Sequence, residues 1–148
     1  MKLELKHLAG YLPYGLKIKT NNKVREMVCE KPDSMFSNED LSHQVTIYQT
    51  IKGVGHKPIL HPLSDFTKHC DDLGFTPIEW LLENREVDAE YDFIIALEDD
   101  WACAKDKIIF APLSIALRLY EWHFDIHGLI PNGLAIDINT IKPKNNQL

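Results

Sequence analysis

Read for its alternation of apolar and polar positions, the chain divides into strands at both ends and helices in between. Leu3 to Ala9 places Leu3, Leu5 and Leu8 on one side of a short helix that breaks before Pro13. Residues 15–20, Gly-Leu-Lys-Ile-Lys-Thr, then alternate as a half-buried strand does. Asn21-Asn22 tolerates positive φ and predicts a hairpin turn, with Val24 to Cys29 as the return strand. That return strand alternates imperfectly, so its register stays open and a bulge is one solution. Residues 30–40 read as loop. Gln44 to Ile51 is rich in β-branched and aromatic residues and predicts a third strand. The run from Gly53 to Pro62 holds two glycines and two prolines and predicts an extended, tethered loop.

The middle of the chain carries helix signals. Ser64 is placed to cap a helix over Asp65 to Asp72 that ends at Gly74. Thr76-Pro77-Ile78-Glu79 offers Thr at the cap, Pro in the first turn and Glu to close a capping box. Phe93 to Leu97 fits either a buried strand or part of a helix, because so short an apolar run has no diagnostic period.

The strongest signal is the stretch from Pro112 to His127. At about 100° per residue, Ser114, Arg118, Glu121 and Asp125 form one narrow polar stripe. Ile115, Leu119, Trp122 and Ile126 lie on one flank; Leu113, Leu117, Tyr120 and Phe124 lie on the other. A helix so apolar is expected to be buried on two sides, with His123 at its deepest point and Gly128 as its left-handed cap. Leu134, Ile136 and Ile138 then alternate with Ala135, Asp137 and Asn139 as a closing strand.

Together these elements predict an α+β fold. A small antiparallel sheet, built from the N-terminal hairpin, the third strand and the C-terminal strand, packs on a central long helix over 112–127 with two shorter helices. One globular domain is expected over 1–141, followed by a flexible C-terminal tail at 142–148.

Charge sharpens the functional reading. The net charge is −6, yet residues 1–31 carry seven Lys/Arg against three Glu, and residues 65–106 carry three Lys/Arg against thirteen Asp/Glu. The acidic middle argues against nucleic-acid binding through a broad positive field. Contact through Lys17, Lys19, Lys23 and Arg25 is the one route the charge pattern leaves to it. The N-terminus has no apolar core of a secretory leader, and the apolar runs are far shorter than the roughly 20 residues of a membrane span. A cytoplasmic protein is expected. Cys29, Cys70 and Cys103 are odd in number and widely spaced, which predicts buried free thiols rather than disulfides.

Candidate chemistry is sparse. His123 and His127 have the His-x-x-x-His spacing that puts two imidazoles on one helix face, with His56, His61, His69 or Asp137 as a third metal ligand. Phe124 stands where the zinc-protease motif wants Glu, so a buried core histidine and a helix-terminal histidine compete with the metal reading. The loop carrying His56, His61, Ser64 and Asp65 holds triad residue types without a nucleophile elbow, and a binding loop fits it better. Glu98-Asp99-Asp100 beside Trp101 is an acidic run of the kind that usually stays solvated, and Asp137 with Asn139 suits a soluble strand edge. Trp80 and Trp101, with His56 and His61, are candidate binding residues.

Four blocks carry a resemblance: Glu4 to Lys17, Lys57 to Lys68, Glu121 to Ile130 and Gly133 to Thr140. In these the chain resembles a group of small proteins carried by bacteriophages and prophages of anaerobic gut bacteria, a group with no function to carry over. The resemblance implies a phage-type accessory protein inside a bacterial host. The expectation is a non-enzymatic module that binds a host or phage protein, or itself, and needs no cofactor. The alternative is a metal-dependent hydrolase or nuclease using a divalent metal on His123, His127 and an acidic residue.

Overall fold

The computed structural model describes residues 1–21, 23–29, 44–53, 55–84, 88–99, 108 and 110–141. The tail at 142–148, Asp100, Trp101, Cys103, Lys105 and Lys107 lie outside the described residues, as do the side chains of Glu98 and Asp99. The chain forms two compact units: Met1–Leu60 with Gly128–Leu148, and His61–His127. The fold is α+β, with a five-stranded sheet in the first unit and helices in both.

The hairpin forms as its alternation dictates. Strand β1 (Lys17–Thr20) buries Ile18 and Thr20, and Asn21 turns the chain at φ 51° into β2 (Lys23–Val28). The register Lys17↔Glu26 to Thr20↔Lys23 runs without a bulge. Before it, α1 (Leu5–Leu8) buries Leu8 and His7.

The sheet is mixed, not antiparallel as expected. Its order is β3-β2-β1-β4-β5, and both outer strands pair in parallel with their neighbours. The expected third strand is cut to β3 (Gln44–Thr46), after which the chain turns into helix α2 (Ile47–Lys52). The cause is a reciprocal cap: Thr46 Oγ1 accepts from Gln49 N at 3.1 Å, and Gln49 Oε1 accepts from Thr46 N at 2.9 Å. Two satisfied backbone donors outweigh the β-propensity of the stretch.

The expected loop at 53–62 contains strand β4 (Lys57–Leu60), whose Pro58, Ile59 and Leu60 are buried. Pro58 stands opposite Ile18 of β1, but the pairing with β5 starts only at Ile59. A residue without an N–H is tolerated where the strand is paired on one side. The closing strand β5 is only Ile136–Asp137. The Asp137 carboxylate accepts from Asn139 N at 2.8 Å and bends the chain into a 3₁₀ turn, ending the alternation.

In the second unit, the helix expected from Ser64 is a 3₁₀ turn at Leu63–Thr67 after Pro62. Helix α3 (Pro77–Glu83) starts at Thr76-Pro77, although the Thr76 side chain makes no capping bond. Helix α4 (Asp88–Asp99) settles the ambiguous apolar run as helical. Helix α5 is Leu113–Glu121, shorter than the 112–127 expected. The unit's core gathers Phe66, Ile78, Leu81, Ile94, Leu97, Ile115, Leu119, Trp122 and Phe124.

The early stop of α5 has a specific cause. His123 adopts the left-handed conformation (φ 59°), its N–H bonds Tyr120 O at 3.1 Å, and Phe124 N–H bonds Leu119 O at 2.9 Å. These are the two bonds of a Schellman C-cap, with His123 where glycine is usual and fully buried Leu119 and Phe124 as its apolar pair. His123 is therefore half-buried at a turn and is not the deepest point of a helix. Histidine is among the residues that tolerate this conformation; a β-branched residue is not. His123→Val is expected to lose roughly 1–2 kcal/mol in urea unfolding, whereas His123→Gly holds or raises the midpoint.

The two-sided burial expected for α5 is also half right. Ile115 and Leu119 are buried, but on the other flank Leu113 is 73% and Leu117 44% exposed. Phe110, just before the helix, is 76% exposed. The polar stripe divides as well: Ser114 donates to Glu90 of α4, Arg118 pairs with Glu121 at 2.8 Å, and Asp125 is buried beyond the helix end.

Candidate functional site

The Schellman cap delivers Phe124 to His61. Backbone bonds from His61 N to His123 O (2.8 Å) and from Asp125 N to His61 O (2.9 Å) form an isolated parallel bridge there. The His61 ring, 1% exposed, stacks on Phe124 with centroids 5.1 Å apart, and Phe66 meets Phe124 edge-on at 6.1 Å. One face of the imidazole is thus sealed by aromatic packing.

Both edges of the same ring meet carboxylates. Nε2 lies 2.7 Å from Asp72 Oδ2, and Nδ1 lies 3.3 Å from Asp65 Oδ2. Asp65 arrives because the 3₁₀ turn after Pro62 folds it back toward His61, four residues earlier in the chain. Asp72 sits in the tight turn from Cys70 to Phe75, which is closed by Cys70 N to Phe75 O at 3.1 Å and Gly74 N to Cys70 O at 2.8 Å. Gly74 takes φ 82° there, a conformation that favours glycine. The buried Cys70 thiol donates to the carbonyls of Asp65 and Lys68, each at 3.6 Å. A ring nitrogen of His61, a carboxylate oxygen of Asp65 and the Cys70 sulfur all lie within 4.8 Å of one another. Among the described residues this is the group whose donors converge as metal ligands do.

The residues singled out by sequence fall in different places. His61 is at the centre of this cluster. His123 and His127 do not share a helix face, because α5 ends before either. His127 Nε2 lies 3.1 Å from the Tyr120 hydroxyl, and burial pushes that phenol above its ordinary ionisation range. Asp137 caps its own turn in the first unit. His56 Nδ1 lies 3.1 Å from Gln49 O, beside a cavity of about 320 Å³ lined also by Lys2, Thr50, Lys57 and Leu134. Gly53 makes that His56 position available: a Cβ there would stand 2.1 Å from Nδ1.

Trp80 is half-buried in an aromatic group. It meets Trp122 edge-on at 5.2 Å and Phe75 at 6.0 Å, with the Arg118 guanidinium 4.8 Å above its ring. With His69, Glu79 and Glu83 it lines a shallow groove of about 300 Å³. Sequence reading missed Cys70 and Asp72 as partners of His61. The signal available was the close spacing of His61, Asp65, Cys70 and Asp72 around two turn-forming segments.

Among the described residues, no helix is long and apolar enough to cross a membrane. No protein-family model, no curated protein and no solved structure matches the chain.

Proposed function

We propose that the protein is a non-enzymatic binding module that docks another protein along the outer flank of α5. The observation that carries this reading is the exposure of Phe110, Leu113 and Leu117, three large apolar side chains in one short stretch. Exposed apolar residues in a group mark interaction surfaces more often than isolated ones do. Leu113 and Leu117 lie four residues apart, on one side of the helix. Neighbouring α4 bears exposed Tyr91 and Asp92, which would add an aromatic contact and a negative rim. A host or phage protein met in the bacterial cytoplasm is the partner we favour, and that part rests on the resemblance to phage and prophage proteins.

The test compares wild type with Leu113→Asp/Leu117→Asp as bait in a host lysate, alongside sizing of each protein. Wild type is expected to capture a partner or to self-associate. The double variant is expected to lose that behaviour while melting within a few degrees of wild type, since both positions are solvent-facing. A wild-type protein that is strictly monomeric and captures nothing, or capture indifferent to the substitutions, overturns the reading.

A further inference from the structure

We propose that His61, Asp65 and Cys70 bind one divalent transition-metal ion of the zinc class, with Asp72 orienting the imidazole from outside. The donors would be Nδ1 of His61, a carboxylate oxygen of Asp65 and Sγ of Cys70, and the fourth position would be taken by water or an added ligand.

Three observations support it, and the first is the inequality of the two contacts to His61. The 2.7 Å separation from Nε2 to Asp72 is that of a strong charge-assisted hydrogen bond. The 3.3 Å from Nδ1 to Asp65 is long for such a bond. It is, however, the spacing of two ligands on one ion: nitrogen and oxygen each about 2.0–2.2 Å from a tetrahedral zinc stand about 3.3–3.5 Å apart.

The second observation is the role this gives Asp72. Asp72 holds the Nε2 edge of the ring at 2.7 Å, which leaves Nδ1 as the ring nitrogen on the Asp65 side. Metal-bound histidines characteristically donate their other N–H to a carboxylate in this way.

The third observation is Cys70. The hydrogen-bonding contact between His61 and Asp65 brings together two donor types, nitrogen and oxygen. Cys70 Sγ adds a third, within 4.8 Å of a His61 ring nitrogen and an Asp65 carboxylate oxygen, held by the Cys70–Phe75 turn. One nitrogen, one oxygen and one sulfur donor suit zinc-class ions and not the oxygen-seeking magnesium or calcium. Binding would replace the Cys70 S–H proton, released to solvent, by the metal–sulfur bond. The docking surface proposed above lies on the exposed flank of α5 and does not depend on this site.

The test uses full-length protein made without a metal-affinity tag, stripped with a chelator and titrated with cobalt(II) as a spectroscopic stand-in. One equivalent is expected to bind, giving the near-ultraviolet thiolate-to-cobalt band and visible bands of a four-coordinate ion. Zinc should bleach both and raise the melting temperature. Cys70→Ser should lose the thiolate band, Cys29→Ser should keep it, and Asp72→Asn should keep it with affinity weakened about 10–100-fold. No saturable binding by wild type, binding without a thiolate band, or a band that survives Cys70→Ser overturns the proposal. The wild-type spectrum answers the question even where a variant fails to fold.

Discussion

Phe124→Ala is expected to destabilise the second unit by about 3–5 kcal/mol, the usual cost of emptying a large buried aromatic site. Phe124 is fully buried. Its ring contacts His61 and Phe66, and its N–H closes the cap of α5 on Leu119. The backbone bond survives the truncation, but the apolar pair that holds the cap does not. The loss is a large share of the roughly 5–15 kcal/mol that a whole domain commonly has. Tryptophan fluorescence is a suitable reporter, because Trp80 and Trp122 pack edge-on in the second unit. The urea midpoint should fall steeply for Phe124→Ala and stay within about 0.5 kcal/mol of wild type for the solvent-facing Leu117→Ala. Similar values for the two variants would show that Phe124 is not a keystone.

His61→Ala is expected to cost a comparable amount, about 3–5 kcal/mol, from an emptied buried site and two lost hydrogen bonds together. Removing the imidazole takes the ring partner from the buried Asp65 carboxylate and strips one face of Phe124. Taking a hydrogen-bond partner from a buried polar group is costlier than replacing both members of the pair. The double variant His61→Ala/Asp65→Asn should therefore recover part of the loss, a non-additivity that a double-mutant cycle reads directly. Asp72→Asn should cost only about 0.5–1.5 kcal/mol, since its carboxylate reaches solvent and the amide oxygen still accepts from Nε2. Equal losses from His61→Ala alone and from the double variant would mean that Asp65 is satisfied without the histidine.

How much of this was legible in the sequence depends on how local the cause is. The hairpin, the start of α3 and the apolar Ile115–Leu119 flank are set by alternation, a proline in the first turn and helical spacing, and each appears where those signals put it. The split of residues 44–52 into strand and helix was also readable, because Thr46 and Gln49 have capping-box spacing. The β-propensity of the same residues masks it. The stop of α5 was not readable in the same way: His123 accepts a backbone conformation that sequence rules assign to Gly128, and the apolar pair Leu119–Phe124 makes that acceptable. The His61 cluster lies between these cases. His61 and Asp65 stand four residues apart in plain view, but Cys70 and Asp72 join them only because the turn to Phe75 folds back, which spacing alone does not reveal.

The parallel pairing of β4 with β5 has a consequence for how the chain is made. Leu60 and Ile136 lie on either side of the whole second unit, which is an insertion between two neighbouring strands of one sheet. During synthesis β4 emerges early and must wait, one edge uncovered, until everything from 61 to 127 has left the ribosome. Such distant pairings are slow to form, and an open strand edge is a template for wrong partners. Pro58, buried near the start of β4, offers no N–H there for a stray strand to bond, so the half-finished strand has one backbone donor fewer to lose to a wrong partner.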